Sequence, residues 1–303
     1  MKFAAIDIGS NSIKLVVVDA VASDSFAVLT VEKETVRLGH ETFLKGYLGR
    51  DAILRATDCV SRFRSIAEAR GAERIVATAT AAVREANNWA NFIKAIKQNT
   101  GINVEILSGI EEARLIGLAA AEGCSARGTS TLNIDIGGGS TEISIFHDGL
   151  PLTLHSIRLG AVLLTERFLK SDPPRPKQLH DMRIEIRAAV ERPARELQDC
   201  KWDSATGTSG TILAIGNALR AEAVIKLPAL AQFNASLAVM THDQRRNVAR
   251  LTAPRAEIIV AGGMMLEGIM HALGIDALTT CEWALPEGLI IDRLRDWEAL
   301  FGV

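Results

Sequence analysis

The chain has 303 residues, a net charge of −2 and few aromatics. That is long enough for two domains with sizeable cores, and no global field draws in a polyanion such as DNA. Cys59, Cys124, Cys200 and Cys281 form no C-x-x-C and the six histidines form no ligand pair, which argues against zinc and against a disulfide framework. No apolar run nears membrane-spanning length and Met1-Lys2 leads straight into a strand pattern, so the expectation is a cytoplasmic protein with neither membrane span nor signal peptide.

In chain order, alternating apolar residues predict a hairpin over 3–9 and 12–19, with Ser10-Asn11-Ser12 at its tip. The strand pattern of 26–38 carries Arg37 near its end, placed either to reach a phosphate or to stand as a solvated edge charge. A 3.6-residue period predicts a helix from Asp51 to Arg70, stopped by Gly71. A buried strand at 74–79 runs into a turn bearing Arg84, expected to point toward a cleft, and a helix over 87–98 follows. After a strand at 103–107, Ser108 and Glu111 have capping-box spacing. That assigns Glu111 to the helix end. Glu112, about 100° further round, is left for chemistry or for the helix dipole.

The polar segment 123–130 reads as a linker. Beyond it, Asp135-Ile136-Gly137-Gly138-Gly139-Ser140-Thr141-Glu142 sits between two apolar alternations and predicts a second hairpin. Its glycine N–H groups can close on an anion. Carboxylates flanking such a turn call for a cation between them, and Mg²⁺ with a phosphate satisfies both. Residues 5–17 repeat the pattern without gaps: Asp7 falls on Asp135, Gly9 on Gly137, Ser12 on Ser140 and Lys14 on Glu142. Such a repeat predicts a duplicated domain, with two hairpins facing each other across a cleft. Later elements are a strand at 152–158, a helix at 160–170, a proline-rich loop at 172–176 and a helix from Lys177 to Asp199 kinked at Pro193. Residues 204–211, with Ser209, Gly210 and Thr211, form a turn opening a helix, which suits either a phosphate or an ordinary loop. Residues 221–253 show no clear pattern. One apolar helix follows Pro254, a strand covers 277–283, and the final helix from Pro286 should pack back on the first half.

Two halves, each with a D-x-G hairpin, point to an α/β protein of the actin/Hsp70/sugar-kinase (ribonuclease H-like) superfold. The first domain is expected over 1–125, joined by the helix 285–303, and the second over 126–284. Within that superfold the sequence resembles the Ppx/GppA family of exopolyphosphatases and guanosine pentaphosphate phosphohydrolases. The resemblance is carried by Ile6-Asp7-Ile8-Gly9-Ser10-Asn11-Ser12, Val36-Arg37-Leu38-Gly39, Ala79-Thr80-Ala81-Ala82-Val83-Arg84, Ile106-Leu107-Ser108-Gly109, Glu111-Glu112-Ala113-Arg114, the second hairpin, Gly207-Thr208-Ser209-Gly210-Thr211 and Arg255-Ala256-Glu257. It implies Mg²⁺-dependent release of terminal orthophosphate, with Glu112 orienting or deprotonating water and metal and water contacts at Asp135 and Glu142. It also implies phosphate contacts at Ser10, Asn11, Arg84, Gly138, Ser140 and Ser209. With the residue-level reading, Ser12, Arg37, Gly137, Gly139, Gly210 and Thr211 join the phosphate set, and Asp7 joins Asp135 and Glu142 in the metal set. Mn²⁺ and a monovalent cation such as K⁺ are further candidates, and a homodimer is expected.

The sequence departs from the family in three places. It ends at Val303 without the C-terminal HD-type domain of longer members, it has Pro286-Glu287-Gly288 where Arg-Glu-Gly is common, and Lys14 stands where arginine or histidine is common. Two other readings are a phosphotransferase of the same superfold and a non-catalytic binder of polyphosphate or alarmone. Glu112 as a water base, together with the retention of Glu112, Asp135 and Glu142, argues for hydrolysis.

Overall fold

The computed structural model describes residues 1–303 apart from 24, 41, 125–127, 222, 302 and 303; the middle of the expected linker therefore lies outside the described residues. The first half runs β1 (Lys2–Ile8), β2 (Ser12–Ala22), β3 (Ser25–Thr35), α1 (Thr42–Lys45), α2 (Arg50–Ala69), β4 (Arg74–Ala79), α3 (Ala81–Arg84), α4 (Trp89–Thr100), β5 (Val104–Ile106) and α5 (Gly109–Cys124). The second half opens with β6 (Ser130–Ile136), β7 (Thr141–His147), β8 (Leu150–Ile157), α6 (Ala161–Phe168), α7 (Pro176–Leu197), β9 (Ser204–Thr208) and α8 (Ser209–Leu219). It continues with β10 (Val224–Lys226), α9 (Leu227–Ala238), α10 (His242–Arg246), α11 (Ala253–Ala256), α12 (Ile259–Leu273) and β11 (Ala277–Thr280), and α13 (Leu285–Phe301) closes the chain.

The two sheets have one topology. Strand order is β3-β2-β1-β4-β5 in the first and β8-β7-β6-β9-β11 in the second, where β10 is added at the edge. In each, the leading hairpin is antiparallel and the following strands pair in parallel. The duplication read from the two D-x-G stretches is thus a duplication of fold. Parallel strands need both faces covered, and β1 shows it. Ala4, Ile6 and Ile8 pack with Val60 and Phe63 of α2 and Phe92 of α4, while Phe3 and Ala5 pack with Leu115 of α5 and Leu289 and Ile290 of α13. In the second half, Leu132, Ile134 and Ile136 pack with Met182 and Ile186 of α7, Ile212 of α8 and Met265 of α12.

Helix α13 returns to the first half and crosses α5 closely. A Cβ on Gly288 would strike the Leu115 carbonyl, so only glycine permits the approach. Helix α5 also packs on β7 and β8, where a Cβ on Gly117 would meet Ser144 and Phe146. It is therefore a wedge between the halves, carrying Glu112 in its first turn.

Several expectations are corrected. Ser108 Oγ accepts the Glu111 N–H at 3.1 Å, but the Glu111 carboxylate turns to Arg114 at 2.7 and 2.8 Å instead of closing the capping box. The helix after Pro254 is two helices, because Ile258 N–H bonds back to Arg255 O in a tight turn between α11 and α12. Within α12, Gly262 packs on Thr211 and Gly263 on Asn234, so these glycines serve helix packing. Cys124 and Cys281 form a disulfide, and Cys59 and Cys200 are free. The bond joins residues far apart in sequence, so no local spacing announced it. Among the described residues no helix is long and apolar enough to cross a membrane.

Candidate active site

The two hairpin turns are built alike. Gly9 N–H donates to Ser12 O at 3.1 Å and Gly137 N–H to Ser140 O at 3.0 Å; in both, the glycine Cα lies too close to that carbonyl to carry a Cβ comfortably. The same register pairs Asp7 with Lys14 and Asp135 with Glu142. The tips meet across the cleft, where a Cβ on Gly138 would come within 2.8 Å of Ser10 Cβ. Gly160 backs the second turn so closely that a Cβ there would strike Gly138.

Between the turns lies a cavity of about 330 Å³. Asp7, Ser10, Asn11, Ser12, Glu112, Asp135, Gly137, Gly138, Gly139, Ser140, Ser209, Gly210 and Thr211 all line it. Ser209 has φ +81°, a region few non-glycine residues adopt. Its Oγ accepts from Thr211 N–H and Ile212 N–H, at 3.2 and 3.3 Å, and so caps α8.

Three expected site residues are placed elsewhere. Arg84 does not line this cavity: its Nη1 donates to Leu107 O at 2.8 Å and to Glu112 Oε2 at 2.9 Å, so it holds the acid. Arg37, at φ +56°, turns to Glu257 of the other half at 2.6 Å and lines a neighbouring cavity of about 430 Å³ that shares Ser10 and Asn11. Glu142 lies behind Asp135, 1 % exposed; Ser156 Oγ donates to its Oε1 at 2.8 Å, and its Oε2 has no partner among the described residues. Burial and the charges of Glu112 and Asp135 hold its carboxyl well above the usual range.

Burial also raises the acids that reach the cavity, against the pull of the neighbouring cations. Burial and Glu112 push Asp7 up to about 7, and burial pushes Asp135 to about 6 against the hydrogen bond from Thr208 Oγ1, 2.6 Å long. Burial pushes Glu112 to about 7, with Arg84 pulling the other way. Asp7 Oδ1 is buried and has no hydrogen-bond partner among the described residues. Among those residues no three His, Cys, Asp or Glu side chains close to metal-ligand spacing. Mg²⁺ does not require such a cage, since it binds through one or two carboxylates, water and substrate phosphates. Asp7 and Asp135, one from each half, fit that role.

Two cations of the cavity wall, Lys33 and Arg255, were given no role by sequence reasoning. Lys33 is three residues from the predicted strand's quoted Val36-Arg37 motif, and Arg255 belongs to one, but only the tertiary fold brings them to the same point. Lys14 also lines the cavity and pairs with Glu287 of α13 at 2.7 Å.

The family model of the Ppx/GppA phosphatase family matches residues 16–296. The chain belongs to the Ppx/GppA phosphatase family. Exopolyphosphatase 1 of Mycobacterium leprae is 31% identical over 97% of this chain and 90% of its own length. A guanosine-5'-triphosphate,3'-diphosphate pyrophosphatase of Vibrio cholerae is 30% identical over 97% of this chain and 59% of its own. Among solved structures, an exopolyphosphatase from Cytophaga hutchinsonii superposes with a TM-score of 0.91 at 26% identity, covering 98% of each chain. The Aquifex aeolicus Ppx/GppA protein superposes at 0.80 with 23% identity and 98% coverage of each, a likeness of fold. These Ppx/GppA structures share the two-half architecture described above.

Proposed function

We propose that this Ppx/GppA protein is an exopolyphosphatase that hydrolyses the terminal phosphoanhydride of inorganic polyphosphate, or of a nucleoside polyphosphate such as guanosine pentaphosphate, with Mg²⁺. The observation that carries the reading is Glu112: a buried carboxyl poised near neutral pH, fixed by Arg84, in the same cavity as both glycine turns. A general base works best when its pKa lies near the working pH.

The chain's own residues divide the work. N–H groups at the turn tips, Ser10 to Ser12 and Gly138 to Ser140, bind the terminal phosphate's oxygens, and Arg255 balances charge on the second half's side. Glu112 takes a proton from water as its oxygen attacks phosphorus, and the bond to the bridging oxygen breaks in line. Arg84 keeps Glu112 turned to the water and partly ionised. Asp7 and Asp135 would hold Mg²⁺, which neutralises charge developing on the phosphoryl oxygens.

The test is phosphate release from tripolyphosphate and from guanosine pentaphosphate, with Mg²⁺ and with EDTA. Mg²⁺-dependent release that is lost in Glu112→Gln supports the reading. ATP formation from ADP and polyphosphate without net phosphate release would instead favour the phosphotransferase.

A further inference from the structure

Lys33 belongs to β3, the outer strand of the first half, yet its ammonium lies on the second half. A Cβ placed on Gly210 would strike both Lys33 Nζ and the Arg255 guanidinium. Gly210 stands in the first turn of α8, the positive end of a helix dipole. Positive charge from three sources, and from both halves of the molecule, thus meets at one point of the cavity wall.

The charges of Asp7 and Asp135 reach that point, but neither of them closes it with an ion pair. Among the described residues Lys33 makes no ion pair, and Arg255 Nη1 donates to Thr211 Oγ1 at 3.4 Å. Lys14, the third cation of the cavity, is already taken by Glu287. Burial and the neighbouring charges of Arg255 and Lys14 push Lys33 down to about 8 against the pull of Asp7 and Asp135, and burial pushes Arg255 to about 10 against the pull of Asp135. The Lys33 side chain also stays exposed. Two cations brought to one point at the head of a helix, with no ion pair between either and a carboxylate, fit a polyanion that bridges them.

We propose that Lys33 is the residue that makes the site specific for chains of phosphates: with Arg255 and the head of α8 it holds the phosphate next to the one being cleaved. The proposal rests on the phosphohydrolase reading for its chemistry. When water attacks the terminal phosphorus and the P–O bond to the bridging oxygen breaks, the shortened chain leaves with the bonding electron pair on that oxygen. Lys33 faces that new charge, while the water proton goes to Glu112. A single orthophosphate occupies the glycine turns alone and leaves Lys33 and Arg255 repelling each other across the cleft. A second phosphate turns that repulsion into attraction for both halves, so cleft closure is tied to substrate charge.

The experiment compares the full chain with Lys33→Gln and Lys33→Arg, each checked for an unchanged unfolding midpoint. Calorimetry with pyrophosphate and with orthophosphate measures binding, and tripolyphosphate hydrolysis gives kcat and KM separately. Lys33→Gln should weaken pyrophosphate binding and raise KM for tripolyphosphate by tenfold or more, with orthophosphate binding changed less than twofold. Lys33→Arg should restore most of the loss. An equal loss for orthophosphate and pyrophosphate, or no loss for either, would overturn the proposal. If the wild type hydrolyses no tripolyphosphate, the hydrolase reading falls, while the pyrophosphate measurement still decides the role of Lys33.

Discussion

At the scale of single residues, burial and Arg84 act on Glu112 in opposite directions, and their balance sets the charge of the base. Replacing Glu112 by Gln keeps the size and removes the basicity. Turnover of tripolyphosphate should fall by roughly 10²–10⁴-fold, the usual worth of a general base, with pyrophosphate binding retained. Arg84→Met is the sharper probe. Arg84 favours the carboxylate, so its removal raises the Glu112 pKa above about 7. The acid limb of the pH–rate profile should therefore move to higher pH, and activity lost at pH 7 should partly return at pH 9. A profile that only drops in height, without moving, would mean that Arg84 does not act through Glu112. The sequence separated Glu111 from Glu112 by helical geometry, which the fold preserves. It could not show that Glu111 turns to Arg114 or that Arg84 is committed to Glu112, because both depend on side chains choosing among partners distant in sequence.

At the scale of elements, the hairpins were the most legible part. Their turn chemistry is local, and Asp7 with Gly9 and Asp135 with Gly137 recur at one spacing. The stretch 221–253 was opaque for the opposite reason: β10 is three residues long and exists only by pairing with β11, fifty residues later in the chain. Arg37 was expected at the end of a strand reaching 38, but β3 stops at Thr35 and the left-handed backbone of Arg37 turns it toward Glu257; backbone sign is not written in composition. The α5–α13 crossing supplies a prediction of its own. Gly288→Ala pushes a methyl group into the Leu115 carbonyl, and overpacking of this kind costs about 1–3 kcal/mol. Urea unfolding should show that loss. Activity should fall as well, since α5 positions Glu112 from one end and touches α13 along its length. Full stability in the variant would show that the two helices can separate without cost.

At the scale of the whole molecule, the buried acids tie stability to pH and to cations. Asp7 rises from 3.8 to about 7 on folding, Glu112 from 4.5 to about 7 and Asp135 from 3.8 to about 6. A raised carboxyl binds its proton more tightly in the folded state, so the stability it contributes is complete below the unfolded value and is lost as pH rises through the folded one. The metal-free protein should therefore melt at progressively lower temperature between pH 4 and pH 7, and Asp7→Asn should flatten that decline. Mg²⁺ binds the ionised acids and should raise the melting temperature more at pH 8 than at pH 5; equal shifts at both would separate the cation from these carboxyls. The disulfide has a different reach. Cys124 ends the last helix before the chain enters the second half, and Cys281 follows the last strand before it leaves. The bond therefore draws the stretch between them, a sequence separation of 157, into a covalent ring, pinched at the neck, with the first half and α13 as its two tails. A ring has fewer unfolded shapes than an open chain, so that steadying belongs to the second half alone. A protease that nicks the ring once releases nothing until a thiol opens the clasp, whereupon one chain becomes two.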